Sequence, residues 1–293
     1  MKQEQASSTA KIVAAAMLLL DSYKQTKHLV AEDASAWCEV FLSASFSGRF
    51  LAASAKCPIT RCLWLSLEKY TLPGIIRHYA YRKRWIERHC RASFALGYKH
   101  LVIIGAGFDA LGVRMAHEFP ELRVTEIDHP ATQGEKLRGM TIHNKSQPGN
   151  IRFVPVDLET QKIPTSLFTA EEAPVFVIEG LLMYLAEERV CELLENLHTL
   201  SVASSRLIAS YICRRPDGKI GFTPRSRLID LWLHLREEPF RWFQTQEMMI
   251  RFMQSAGFSC LYHATGSEMA DAHDAEPVLN GENFFLAENT AGR

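Results

Sequence analysis

An apolar run that ends in a glycine turn constrains this chain more than any other feature. Leu101-Val102-Ile103-Ile104 leads into Gly105-Ala106-Gly107-Phe108-Asp109-Ala110, the pattern of a strand that turns sharply and opens a helix. Glycine at 105 and 107 permits the tight turn and lets a ligand approach where a Cβ would collide. From residue 99 onward, short apolar segments alternate with helix-length ones: Lys99 to Ile104, Arg123 to Asp128, Ile151 to Leu158, Val175 to Glu179 and Arg206 to Ile212. That alternation predicts an α/β fold, Rossmann-like, with a mostly parallel sheet and helices on both faces. Two further strands, Ser259 to Ala264 and Phe284 to Ala287, bring the expected count to seven and are open to pairing as a hairpin.

Between the fourth and fifth strands, Val190, Leu193, Leu194, Leu197 and Leu200 share one face of a helix over Glu187 to Leu200, which should pack on the sheet. A second helix is expected over Thr245 to Ala256, stopped by Gly257. Residues 10–96 carry apolar positions at helical spacing and no long β-branched run, so they read as a helical N-terminal extension and acceptor lid over residues 1–96. Residues 97–293 form the core, with a helical insertion at about 214–243 after the fifth strand, the whole being one unit.

Composition narrows the function. Hydrophobic residues make up 47% and charged residues 23%, which excludes a disordered or low-complexity chain. Thirty-three cations balance thirty-three acids, so no global field attracts a nucleic acid. The longest apolar run, Ile12 to Leu20, is far short of the roughly 20 residues of a membrane span. It lacks a small-x-small cleavage site and is followed by Lys24 and Lys27, so a secretory signal is not expected. Seven cysteines without a C-x-x-C pair indicate neither a disulfide framework nor a zinc site, and a cytoplasmic, reducing location fits them best.

The second strand ends in Glu126-Ile127-Asp128, about 20 residues beyond the first glycine, where an acid commonly receives the two ribose hydroxyls of a nucleotide. Gly105 to Ala110 also satisfies G-x-G-x-x-A, so an NAD-dependent oxidoreductase remains open. Against it, the first strand begins behind a helical extension, and acids follow the third and fourth strands, at Asp157 and Glu179. The plain alternatives are a ligand-free turn, a solvated basic helix face around Arg82, and Asp157 as a helix cap. Tyr79 and Lys83 make a Tyr-x-x-x-Lys pair, but upstream of the glycine turn, and are read as coincidence.

The ordered set Arg82-Lys83-Arg84-Trp85-Ile86-Glu87, His100 to Asp109, Thr125-Glu126-Ile127-Asp128-His129-Pro130, Val156-Asp157-Leu158 and Ile178 to Tyr184 resembles class I S-adenosylmethionine (AdoMet) methyltransferases. More narrowly, it is similar to the leucine carboxyl methyltransferase family, which includes protein phosphatase methyltransferases and bacterial relatives assigned to polyketide tailoring. The resemblance implies that Arg82 clamps the AdoMet carboxylate and that Gly105 and Gly107 line the methionine end. Asp128, with Glu126 beside it, would hold the ribose. Asp157 and Leu158 would meet the adenine, Glu179 the methionine amino group, and Tyr184 the transferred methyl. The family's usual N-terminal Arg-Ala-x-Glu-like segment departs here, at Leu18 to Ser22, as does the arginine that commonly follows the glycine turn, replaced by Ala110.

Methyl transfer from a sulfonium is an in-line displacement, to which alignment and water exclusion contribute most. A carboxylate acceptor is ionised at pH 7 and needs no base, whereas a phenol, near 10, would benefit from one. No histidine is marked as a base; His129 and His143 read as surface residues. The segment after the fifth strand carries Arg214, Arg215, Lys219, Arg225 and Arg227, placed to position an anionic small-molecule acceptor. Trp232, Phe240, Trp242 and Phe243 read as core of the insertion or as a roof over an apolar acceptor. The leading expectation is an AdoMet-dependent O-methyltransferase that esterifies a carboxylate of a small metabolite or polyketide-like acid. Phenol or enol methylation on the same fold, an NAD-dependent oxidoreductase and an inactive AdoMet-binding interaction protein stand beside it.

Overall fold

The computed structural model describes residues 6–169, 173–200, 204–214, 220–223, 226–269 and 279–289. Among the described residues, five α-helices precede the first strand: α1 (Ser8–Asp21), α2 (Ala34–Leu42), α3 (Phe46–Lys56), α4 (Pro58–Thr71) and α5 (Ile75–Ala95). Local chemistry sets several of their starts. Ser7 and Ser45 cap α1 and α3, each accepting a backbone N–H at 3.1 Å, and Pro58 opens α4, where an N–H would have had no helical partner. The run Ala14 to Leu20 is buried in α1 as core, and among the described residues no helix is long and apolar enough to cross a membrane.

The remainder runs β1 (His100–Ile104), α6 (Leu111–Glu118), β2 (Arg123–Asp128), α7 (Pro130–Ile142), β3 (Ile151–Pro155), β4 (Pro174–Ile178), α8 (Glu187–Leu200), β5 (Ser205–Ile212), α9 (Arg227–Leu235), α10 (Gln246–Ser255), β6 (Phe258–Thr265) and β7 (Glu282–Asn289). The strands form one sheet ordered β3-β2-β1-β4-β5-β7-β6. β1 through β5 pair in parallel, and β7 lies antiparallel between β5 and β6. That antiparallel strand beside β5 distinguishes the sheet from the 3-2-1-4-5-6 order of dinucleotide folds. The expected strands are present with shifted ends. β3 stops at Pro155, which frees Asp157 and Leu158 for the following loop, and β4 stops at Ile178, one residue before Glu179. β6 and β7 pair, but across a long connection and with β7 inside the sheet, so they are not a tight hairpin.

Alternation along the strands divides the interior into two cores. Leu101, Ile103, Val124, Val175 and Val177 pack toward α1, α2, α5 and α6, whereas Val102, Ile104, Ile127, Phe176 and Ile178 meet α8 and α10. The α8 stripe of Val190, Leu193, Leu194, Leu197 and Leu200 is buried as a set, each side chain contributing about 1.5–3 kcal/mol. Strand order reverses direction between β1 and β4, so the loops leaving their carboxyl ends diverge and open a crevice.

Candidate active site

A cavity of about 700 Å³ occupies that crevice. Gly105 (φ +75°) and Gly107 (φ +53°) hold left-handed backbone in its wall. A Cβ on Gly105 would stand 3.1 Å from the Leu181 side chain, and one on Gly107 3.2 Å from the Ala10 Cβ, so the turn is reserved for glycine. Asp128, ending β2, braces it: its carboxylate accepts the Gly107 N–H and, at 2.6 Å, the His129 N–H. Burial pushes the Asp128 carboxyl above its ordinary value, with those two N–H groups opposing.

Opposite the turn, α5 brings Arg82 and Lys83 to the end of β4. Arg82 Nε donates to Glu179 Oε1 at 2.8 Å, and Arg82 Nη1 lies 3.1 and 3.2 Å from the two oxygens of Glu282 in β7. Lys83 Nζ reaches Glu179 Oε1 at 3.1 Å and Asp109 Oδ2 at 3.0 Å. Burial opposes the charges of Arg82, Lys83, Asp109 and Glu282, and the mutual pairing outweighs it. Glu282 and Glu179 hold Arg82 above its ordinary value, Asp109 and Glu179 do the same for Lys83, and Lys83 holds Asp109 below its own. Among the described residues, Arg82 Nη2 donates to nothing and Glu179 Oε2 accepts nothing, while both side chains line the cavity. A free N–H edge beside a free carboxylate oxygen suits a ligand carrying both a carboxylate and an ammonium. Asp128, Asp157 and Leu158 line the same cavity.

The far end is apolar. Ile12 and Val13 of α1, Phe50 of α3, Leu63, Trp64 and Leu67 of α4, and Ile229 and Trp232 of α9 line it. Glu238 ties its roof: the carboxylate accepts the Ser8 and Thr9 N–H groups at 3.0 and 3.2 Å, and also the Thr9 hydroxyl. The N-terminus of α1 is thereby satisfied by the segment after α9. Tyr184 lines the cavity beneath this roof, against Phe240, and burial followed by the nearby Glu238 holds its phenol well above the ordinary value.

The structure brings Arg82, Gly105, Gly107, Asp128, Asp157, Leu158, Glu179 and Tyr184 to one cavity. Asp157 also caps its own turn, accepting from Glu159 N–H and the Thr160 hydroxyl, each at 3.0 Å. Glu126 does not join them. It sits two residues back from the strand end, buried under α7, with Oε2 2.6 Å from Lys136 Nζ and Oε1 where a Cβ on Gly112 would fall. Burial lifts its carboxyl to about 7 despite the lysine. Arg214 is also displaced from the expected role: its guanidinium lies 4.8 Å from the Phe243 ring centre, and it is not among the residues lining the cavity. Arg215 lies outside the described residues. The aromatic group divides, with Trp232 and Phe240 on the cavity and Trp242 buried beside Phe252. Sequence reasoning gave Lys83 no role, reading its pairing with Tyr79 as coincidence, and passed over Glu282, His78, Thr9 and Glu238. Of these only Lys83 had a visible signal, its place beside Arg82.

The model of the family described as leucine carboxyl methyltransferase matches residues 13–198. A Mycobacterium sp. (strain MCS) protein provisionally named an S-adenosyl-L-methionine-dependent methyltransferase is 30% identical over 139 residues, 46% of this chain and 56% of that protein. YktD of Bacillus subtilis (strain 168), provisionally named likewise, is 25% identical over 193 residues, 65% of this chain and 64% of YktD. The matched stretches thus span little more than half the length of the first of these curated relatives. Among solved structures, a Thermobifida fusca YX protein provisionally described as a methyltransferase superposes with a TM-score of 0.57 at 14% identity, covering 86% of this chain and 94% of that one. This likeness concerns the fold.

Proposed function

Because the chain belongs to the leucine carboxyl methyltransferase family, we propose that it transfers a methyl group from AdoMet to oxygen, esterifying a carboxylate on a small molecule with an apolar body. One observation carries the reading: a single cavity joins a charged wall suited to the cofactor's amino-acid end to an apolar chamber. On this reading the NAD-dependent alternative falls away.

Arg82 would take the cofactor carboxylate, Glu179 its ammonium, Asp128 the ribose diol, and Asp157 and Leu158 the adenine. Bound there, AdoMet supplies an electrophilic methyl on a sulfonium. The chain's own task is alignment and exclusion of water. The α1–Glu238 roof and the apolar side chains of α3, α4 and α9 support that task, and residues 1–96 act as the acceptor lid.

An acceptor that arrives ionised suits the groups present. Tyr184 is held as a phenol, and the Glu238 carboxylate is engaged by donors from Ser8 and Thr9. Phe50, Leu63 and Leu67 line the cavity yet remain 65%, 67% and 59% exposed, surface that an apolar acceptor would cover. The free thiols of all seven cysteines suit a reducing cytoplasm.

The test is incubation of the purified protein with methyl-labelled AdoMet and a panel of apolar carboxylic acids and phenols. Label released as methanol by mild base marks an ester and supports the proposal. Base-stable label on phenols would replace the carboxylate with a hydroxyl acceptor.

A further inference from the structure

We propose that Glu282, carried by the seventh strand outside the stretch matched by the family model, is a positioning residue for the cofactor's carboxylate, acting through Arg82 with His78 as its second support. The inference rests on the reading of Arg82 given above and goes beyond it to a residue that touches no ligand. The Glu282 and His78 side chains are fully buried, with His78 Nε2 2.7 Å from Glu282 Oε2. Ser210 of β5 favours the charged form of Glu282 and accepts the Gly180 N–H at 2.9 Å, tying the same network to the loop after β4.

A carboxylate in such surroundings is costly unless it is charge-paired and hydrogen-bonded. Here the pairing serves a geometric end. A guanidinium held at one nitrogen can pivot; held at Nε by Glu179 and at Nη1 by Glu282, it has its plane fixed, and Nη2 is the edge left to the cavity. His78 stands one helical turn before Arg82 on α5, so the same face that presents Arg82 also anchors its partner. The Tyr79 ring, 5.1 Å from the guanidinium carbon, packs against the group from a further side. The Gly180 backbone approaches closely as well: a Cβ there would sit 3.4 Å from Arg82 Nη1.

Two ligands separate positioning from mere structure. S-adenosylhomocysteine carries the amino-acid carboxylate, and 5′-methylthioadenosine has the adenosine and thioether without it. Calorimetric titration of both into the full-length wild type, Arg82→Met, Glu282→Gln and His78→Ala is the experiment. Glu282→Gln and His78→Ala are expected to weaken S-adenosylhomocysteine about tenfold or more while 5′-methylthioadenosine changes less than about threefold, the latter also reporting a folded site. Should Glu282→Gln bind neither ligand, Ser210→Ala, which removes a hydroxyl that favours the Glu282 carboxylate, carries the same selective expectation at smaller size. Equal weakening of both ligands, or no change in either, overturns the proposal. If Arg82→Met itself fails to distinguish the two ligands, it is the cofactor reading that fails; if Arg82→Met distinguishes them and the Glu282 and His78 variants do not, the positioning role alone is lost.

Discussion

Lys83 Nζ stands 3.0 Å from Asp109 Oδ2, so a helix of the N-terminal layer is ion-paired to the turn that leaves β1. The two side chains are less than one-fifth exposed, and each shifts the other in the favourable sense after burial has worked against both. This contact joins the helical layer to the sheet at the cavity, which both side chains line, so either side moving alone would alter the site.

The pairing gives a pH signature. The depressed Asp109 value contributes stability that is present above its ordinary carboxylate range and lost as pH falls through the lower folded value. The raised Lys83 value contributes stability that is present below the ordinary lysine range and lost as pH rises beyond it. Lys83→Met should therefore cost roughly 2–4 kcal/mol at pH 7 and less at pH 3. Urea unfolding at the two pH values measures this, and an equal difference at both would contradict it.

Glu126 and Lys136 offer a contrasting test, because their 2.6 Å pair is buried and neither side chain lines the cavity. Lys136→Met leaves a carboxyl without its cation and should destabilise by about 3–5 kcal/mol, while the double variant with Glu126→Gln recovers part of the loss. S-adenosylhomocysteine affinity of the folded fraction should stay within about twofold in both, as expected of a pair that only supports the fold. A selective loss of affinity in Glu126→Gln would restore that residue to the ribose site.

Much of this arrangement was legible because it obeys short-range rules. The α8 stripe and the β2 bounds follow from periods of 3.6 and 2, which the apolar positions display without reference to the rest of the chain. Glu126 misled because Glu126 and Asp128 share a face of β2, and only their distance from the strand end decides which one reaches the crevice. Glu282 was invisible for a different reason: a charged residue at a strand end reads as solvated, and the arginine and histidine that bury it are about two hundred positions away on α5. Glu238 likewise gains its role only from the distant N-terminus of α1.

Gly105→Ala tests the turn directly. Alanine at φ +75° costs roughly 1–2 kcal/mol in backbone strain, and its Cβ would press on Leu181 at 3.1 Å. The expected result is a lowered thermal midpoint together with weaker S-adenosylhomocysteine binding, since the same turn receives the Asp128 carboxylate. Gly134→Ala, at a helical glycine with open space around the added Cβ, should leave binding unchanged and raise the midpoint slightly, since alanine favours a helix interior by about 1 kcal/mol, and is the control.

Arg214→Ala should leave turnover unaltered, because the guanidinium stacks on Phe243 rather than lining the cavity. Initial rates with any acid that proves to be methylated would settle the point, and a severalfold fall would mean that the segment after β5 does reach the acceptor.

α4 contributes no buried residue, yet Leu63 and Leu67 face the cavity. Side chains this exposed add little to folding, so Leu63→Ser and Leu67→Ser should change stability by no more than about 0.5 kcal/mol. If an acceptor covers them, each substitution removes apolar contact with it, worth about 1–2 kcal/mol per side chain, or roughly a five- to thirtyfold loss in kcat/KM. The loss should grow with the length of the acceptor's apolar body and fall on KM more than kcat, because these groups bind the body rather than the reacting atoms. Methylation rates across straight-chain acids from six to sixteen carbons, in the wild type and both variants, measure this. An equal loss for short and long acids would mean that α4 does not touch the acceptor, and its apolar face would then need another explanation.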